Sequence, residues 1–400
     1  MKKILALAYE YYPTENANTR IIRGVCRELA KHFAIDLVTV EVPGAGGSGS
    51  GDGFRVIRVP GYSFHRPQCT GKITPVILGQ MFLEKTIGKT VHDDTRMLER
   101  LFEREIRRAV RLSDYDAVIS FSAPILAHGC ASRMIRGTGK RWIAVCFDPY
   151  FDHRIFGEEY LEERKRREEK TMEPAEKVLV MVPTDGDYRR AGVAFAEKMQ
   201  GFEVPGIEIA EPSAADTAGS VRCGFFGSMY REIRDPREAI SLFSEVSMDP
   251  EIDVTFAGHL EGFSEEELFP ENGGVRYMGT LHGEDLRRTY AETDVLINIG
   301  NSVDNQIPSK IFEYIGTGKP IINLYKTPEC PTLPYLTRYP LALNLFEGDI
   351  PKDLPGKAKQ VRTFCLETRG KRVSAEEIRE TFAENTFGHF AETIRQILEE

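Results

Sequence analysis

Short apolar runs recur along this chain, and between them apolar positions return every three or four residues. The first runs are Lys2–Ala8, Ile35–Val40 and FRVIRVP (Phe54–Pro60), followed by Asp116–Phe121, Arg141–Phe147 and Lys177–Val182. Continuous rather than alternating apolarity marks strands buried on both faces, the habit of parallel sheets, and the amphipathic spacers predict the helices that cover them. The same rhythm resumes at Val221–Phe226 and runs through IDVTFAG, VRYMGTL, DVLINIG and Pro320–Leu324. Between the two series, VPGIEIAEPSAADTAGS is small, polar and proline-bearing, as linkers are. The pattern predicts an α/β protein of two doubly wound, Rossmann-like domains: residues 1–200, a linker over 201–220, residues 221–385, and a terminal helix over 386–400 that ends a helical pattern beginning at Ser374.

The stretch richest in chemistry is IPSKIFEYIGTGKPIINLY, Ile307–Tyr325. It reads as a loop, a helix opened by Pro308, a stop at Gly316 and Gly318, and a buried strand over Pro320–Leu324. Ile311, Phe312 and Ile315 form the apolar stripe, while Ser309, Glu313 and Thr317 share another face with Lys310 at its edge. A helix start preceded by the loop Gly300–Ile307 is a seat for phosphate, to which Lys310 adds a full charge. A carboxylate one turn further in can accept two hydrogen bonds from a ribose diol. The same two residues also fit an ordinary i, i+3 surface pair.

Other candidates fall in loops after predicted strands, where parallel sheets bind ligands. YEYYPTENANTR follows the first strand; Asn16, Asn18 and Arg20 can hydrogen-bond a sugar or phosphate, and Asn18 or Thr19 equally suits the helix N-cap. FDPYFDH follows Arg141–Phe147 and carries Asp148, Asp152 and His153, whose spacing matches no metal-ligand pattern. His128, flanked by Ile125, Leu126 and Ala127, reads as a satisfied core histidine. GFFGSMYREIRDP places Gly227 in a tight turn, followed by Ser228, Arg231 and Arg234, with Pro236 starting a helix; Gly258 and His259 end the next strand. Gly44, Gly46 and Gly49 spell G-x-G-x-x-G, but the stretch lies between two strands without a helix to hold a pyrophosphate and reads as a low-complexity loop. The two GTGK strings, at Gly137 and Gly316, lack the upstream glycine of a P-loop and mark equivalent helix-to-strand turns in two similar domains.

In Ile307–Tyr325 and Gly227–Pro236 the chain resembles the group-one glycosyltransferases, retaining enzymes of the GT-B fold, in particular surface-polysaccharide members. The resemblance implies that Glu313 binds the donor ribose. It also implies that Gly227, Ser228 and Ser309 line the donor, and that Lys310 with Arg231 or Arg234 holds the pyrophosphate. The family motif is Glu-x7-Glu, and its first position is Asn305 here, facing the donor sugar or its phosphates. Relatives carry an arginine directly after Gly227 and a lysine five residues on; those places hold Ser228 and Ile233. The family's first-loop glycine pair is replaced by Asn16-Ala17-Asn18-Thr19, which with Arg20 and Asp148 would form the acceptor side. What is implied is transfer of a sugar from a nucleotide diphosphate to an acceptor hydroxyl, free or lipid-linked, with no metal or other cofactor. A nucleotide-sugar 2-epimerase and a non-catalytic relative that binds a partner or a glycan are the alternatives.

Composition narrows this further. Four hundred residues, 41% hydrophobic and 28% charged, suit two globular domains, and a net charge of −9 excludes a general nucleic-acid binder. No apolar run approaches a membrane span, and MKKILALAYEYYP reads as a first strand rather than a signal peptide, so a cytoplasmic location is expected. The seven cysteines are scattered without C-x-x-C and read as reduced thiols. The arginine-dense helix Thr95–Leu112 is a solvated face or, more sharply, a peripheral contact with anionic lipid headgroups.

Overall fold

The computed structural model describes residues 1–14, 16–43, 49–51, 53–62, 69–75, 77–79, 82, 95–122, 125–151, 161–182, 184–210, 219–270, 273–302 and 307–400. Two compact units divide the chain, Met1–Pro205 with Glu384–Glu400, and Gly206–Ala383.

In the first unit β1 (Lys3–Ala8), α1 (Ala17–Leu29), β2 (Ala34–Val40), β3 (Gly49–Gly51) and β4 (Phe54–Val59) lead to α2 (Thr95–Ala109), β5 (Ala117–Phe121), α3 (Leu126–Ile135) and β6 (Arg141–Cys146). Then come α4 (Leu161–Met172), β7 (Lys177–Met181), α5 (Asp185–Ala191) and β8 (Met199–Phe202). The sheet order is β3-β4-β2-β1-β5-β6-β7-β8, parallel except for the edge strand β3. The low-complexity stretch therefore is not loop throughout: Gly49–Gly51 pairs back on β4 as a short antiparallel edge. Along β1, Leu5 and Leu7 pack into one core layer and Ile4, Ala6 and Ala8 into the other, which is why the run is apolar without alternation.

The second unit contains β9 (Val221–Phe226), β10 (Met229–Tyr230), α6 (Arg237–Val246), β11 (Ile252–Ala257), β12 (Leu260–Glu261), α7 (Glu265–Leu268), β13 (Val275–Tyr277), α8 (Gly283–Glu292) and β14 (Val295–Ile299). It continues with α9 (Lys310–Gly316), β15 (Ile321–Tyr325), α10 (Leu333–Leu336), β16 (Ala342–Phe346), α11 (Leu354–Thr368) and α12 (Ala375–Thr381). Its parallel sheet runs β13-β11-β9-β14-β15-β16, so the winding reverses between β9 and β14. Across the far half, Asn298, Asn323 and Asn344 are register partners. Their amides join edge to edge at 2.8 Å in each step.

The helical pattern from Ser374 onward is two helices. Phe382 ends α12, and Thr386, whose hydroxyl accepts from the His389 amide, starts α13 (Phe387–Glu399). That last helix belongs to the first unit: Phe390 stacks on Phe202 at 4.0 Å, and Lys2 Nζ donates to the Leu398 carbonyl at 2.8 Å. Among the described residues no helix is long and apolar enough to cross a membrane.

Candidate active site

The reversal between β9 and β14 opens the place where doubly wound sheets bind ligands, outside the carboxyl ends of the strands. The loop after β9 turns at Gly227, whose amide donates to the Ala257 carbonyl at 3.0 Å. Beside it, Gly258 takes φ +150° and approaches so closely that a Cβ would lie 1.9 Å from the Gly227 carbonyl oxygen, so no other residue fits there. The loop then folds back on itself through Tyr230 and Arg234, which exchange two backbone hydrogen bonds of 3.2 and 2.9 Å. That reversal turns Arg234 inward. Its Nε and Nη2 both donate to Asn301 Oδ1, at 3.0 and 2.8 Å, and its Nη1 donates to the Ser228 carbonyl at 3.2 Å. Its hydrogen-bond partners among the described residues are thus neutral oxygens, and burial holds its pKa below the usual arginine range. A guanidinium drawn from water without a carboxylate beside it is a seat for an anion.

Arg231 faces elsewhere. Its guanidinium bonds Glu267 through Nη2 at 2.8 and 2.9 Å, the Gly262 carbonyl through Nε at 2.7 Å, and covers the Phe263 ring at 4.2 Å. Of the two loop arginines, the structure brings only Arg234 against the loop after β14.

Across the reversal lies α9. Its helix starts at Lys310 with Ser309 as an N-cap that makes no side-chain bond, two residues later than Pro308 predicts. The Ile311 and Phe312 amides already bond the carbonyls of Pro308 and Ser309, at 3.1 and 3.2 Å. This tight first turn uses two of the N–H groups at the helix start. Lys310 Nζ meets Glu313 Oε2 at 3.0 Å, so cation and carboxylate do share one face. Tyr314, fully buried, brings its hydroxyl to the backbone of Phe226 and ties α9 to the end of β9. Beside Lys310 and Glu313 a cavity of about 600 Å³ opens, lined by the apolar Leu286, Tyr290, Val373 and Ile378 and by the cations Lys319 and Arg372. Lys319 caps α8 by donating to the carbonyls of Tyr290 and Ala291, and burial brings its pKa down to about 8. Asn305 lies outside the described residues.

In the first unit the loop after β1 is fixed by α1. Asn16, not Asn18 or Thr19, is the N-cap: its Oδ1 accepts from the Thr19 amide at 2.9 Å while Thr19 Oγ1 accepts from the Asn16 amide at 3.0 Å. The reciprocal pair is a capping box, which commits the Asn16 oxygen. Asn18 and Arg20 sit half-buried in the first turn of α1. Asp148 stands exposed just past β6. Asp152 and His153 lie outside the described residues, among which no group of three metal-ligating side chains occurs.

The loop that carries Asp148 rests on a residue the sequence reading did not single out. Glu168 of α4 accepts from the Tyr150 and Phe151 amides at 3.4 and 3.1 Å and from the Tyr188 hydroxyl at 2.8 Å. Full burial pushes its carboxyl up to about 7. A polar chain runs on through the core: Trp142 donates to Ser120 at 2.8 Å, and Ser120 bonds His128 Nδ1 at 2.7 Å. On the other edge of the ring, His128 Nε2 lies 3.7 Å from Cys146 Sγ, so both ring nitrogens have a polar neighbour in the core. Burial drives His128 down to about 3, so it is a neutral core histidine.

No family model and no curated protein matches the chain. Solved structures do. Sucrose-phosphate synthase of Thermosynechococcus elongatus aligns over 100% of this chain and 98% of its own, with a TM-score of 0.61 and 13% identity. HepE of Anabaena, solved with UDP and glucose, aligns over 100% of both chains at 0.56 and 13%. The fold is GT-B. WaaG, a glycosyltransferase involved in lipopolysaccharide biosynthesis, aligns over 99% of both chains with a TM-score of 0.56 and 13% identity. At such identity the likeness is one of fold.

Proposed function

We propose that this protein is a retaining glycosyltransferase of the group-one type, which moves a sugar from a nucleotide diphosphate to an acceptor hydroxyl in the synthesis of cell-surface polysaccharide or glycoconjugate. The observation that carries the reading is Arg234, held at the carboxyl ends of β9 and β14 with neutral oxygens as its described partners. As the glycosidic bond to the donor phosphate breaks, negative charge gathers on the leaving diphosphate, and a fixed guanidinium there lowers the barrier without a metal. Lys310 supplies a second cation and Glu313 the ribose contact, with Gly227, Ser228, Ser309 and Asn305 lining the donor. The proton of the acceptor hydroxyl passes to the departing phosphate oxygen on the same face of the sugar. Support for a nucleotide-sugar donor comes from HepE, solved with UDP and glucose. The acceptor is a sugar or a lipid-linked glycan met at the inner face of the membrane, with Asn18, Arg20 and Asp148 on the acceptor side.

The test is a thermal-shift screen against UDP, GDP, ADP and CMP and their sugar conjugates, on the natural protein and on Glu313→Ala. Stabilisation by one nucleotide diphosphate series, lost in the variant, is expected. Absence of any shift would remove the donor site from the proposal and leave a non-catalytic relative.

A further inference from the structure

Away from the strand ends, α2, α3 and α4 of the first unit enclose a cavity of about 470 Å³. Its charge is at odds with the chain's net −9. Seven cationic side chains line it against two carboxylates, Glu99 and Glu163. Among the described residues, Glu103 and Glu173, which pair with Arg133 and Arg136 from beside it, bring the carboxylates to four.

The floor of this cavity is built. Glu99 is 6% exposed and lies against α3 at Gly129, where a Cβ would come within 2.2 Å of the carboxyl carbon, so a larger residue there would displace the carboxylate. From that position Glu99 holds two guanidiniums, pairing with Arg133 through one oxygen and with Arg167 through the other at 2.7 Å. Arg133 is fixed further by Glu103 through Nε, and Arg167 by the Tyr150 hydroxyl at 3.0 Å. A guanidinium whose position is set by a buried carboxylate has lost its rotamer freedom before any ligand arrives. Above this floor, Arg166 and Lys170 stand exposed one turn apart on α4 and make no ion pair with any described residue.

Preorganised arginines below, uncommitted cations above and a pocket large enough for a small molecule suit one ligand chemistry. We infer that the cavity between α2, α3 and α4 binds a multiply charged phosphate group, a diphosphate or phosphomonoester carried by a soluble metabolite or by a lipid headgroup. A carboxylate or a sulfate monoester carries a single negative charge and leaves the excess of positive charge unmatched; a diphosphate matches it. The site is separate from the proposed donor seat, which lies in the other unit at Arg234, and the inference does not depend on that seat.

The experiment uses radiolabelled inorganic pyrophosphate in equilibrium dialysis with the full chain. Arg234→Ala serves as the background, to silence any contribution of the donor seat. Saturable binding is expected to persist in Arg234→Ala and to weaken at least about tenfold when Arg166→Glu and Lys170→Glu are added, with a log–log salt dependence that shallows in the same variant. Should the charge reversal lower the melting temperature, the milder Arg166→Gln with Lys170→Gln is expected to weaken binding about threefold in a chain that melts normally. A second arm sediments the protein with phosphatidylcholine vesicles with and without phosphatidic acid. Pyrophosphate binding without vesicle binding assigns a soluble ligand; capture by phosphatidic acid vesicles that pyrophosphate competes away assigns a headgroup. No saturable binding in either arm, or binding indifferent to both double variants, overturns the inference.

Discussion

Arg234 closes two of its N–H groups on a single oxygen, Oδ1 of Asn301, across the point where the second sheet reverses its winding. The contact positions a cation without neutralising it, since an amide oxygen has no charge to give. Arg234→Ala is expected to lower kcat/KM for sugar transfer by about a hundredfold to a thousandfold, the range for removing one electrostatic stabiliser of a leaving group. Asn301→Ala leaves the charge but frees its orientation, and about tenfold is expected. Arg231→Ala should stay within about threefold, because its charge already meets Glu267 on an exposed surface, where such pairs contribute little. Steady-state kinetics of the three variants with one donor decide this; equal losses at Arg231 and Arg234 would sink the assignment.

Lys310 and Glu313 touch each other, and that contact separates their roles rather than cancelling them. If Glu313 grips the ribose diol, the bond is the same in ground and transition states, so Glu313→Ala should raise the donor KM about tenfold to a hundredfold and leave kcat near its natural value. Lys310 faces charge that grows as the bond breaks, so Lys310→Ala should act on kcat. A Glu313→Ala enzyme with unchanged donor KM would return the pair to an ordinary i, i+3 contact.

Both sheets were legible because each buries both of its faces, which makes strands such as Lys3–Ala8 and Val221–Phe226 read as largely apolar runs without alternation. The doubly wound order follows from the regular return of helices between them. The site was legible only in part. Arg231 and Arg234 stand three residues apart in one loop, and nothing local says which turns inward; Asn301 decides it, 67 residues away. The start of α9 was misplaced for a related reason, since Pro308 permits a first turn at several positions and the amides of Ile311 and Phe312 choose. Asn16 took the cap from Asn18 and Thr19 because only it forms the reciprocal bond that satisfies two donors. Glu168 left no trace in sequence: on an amphipathic, charge-rich helix, one buried carboxylate among many exposed ones has no signature until the loop it holds is in place.

The asparagine ladder gives a stability test far from any ligand. Asn323 is fully buried, receives Asn298 Nδ2 and donates to Asn344 Oδ1, both at 2.8 Å, while Asn344 passes its own hydrogen to the Leu336 carbonyl at 3.2 Å. Asn323→Leu would strip partners from a buried donor on one side and an acceptor on the other, costing about 2 to 5 kcal/mol. Asn344→Ala, at a half-buried edge position open to water, should cost about 1 kcal/mol or less. Urea unfolding followed by circular dichroism measures both, and a neutral Asn323→Leu would show that the ladder adds no net stability.

His128 and Glu168 are both fully buried in the first unit, and their titrations oppose each other. Folding depresses His128 to about 3 from 6.5, so its contribution is present above pH 6.5 and is lost as the pH falls toward 3, where the unfolded chain takes a proton that the folded chain refuses. Folding raises Glu168 to about 7 from 4.5, so its contribution is present below pH 4.5 and is lost as the pH rises through 7. Each spans a window in which stability changes by up to about 1.4 kcal/mol per pH unit. Relative to the natural protein, His128→Gln should gain about 2 to 3 kcal/mol between pH 6.5 and 4.5, because it lacks the acid loss. Glu168→Gln should gain by a similar amount between pH 5 and 8, and because the Tyr150 and Phe151 amides hang on that carboxylate, it should also raise the acceptor KM while leaving the donor KM alone. Urea midpoints for the three proteins at about pH 4.5, 6.5 and 8, with acceptor and donor titrations at the highest of these, separate the two effects: parallel pH profiles for all three would mean that neither buried group titrates across these windows.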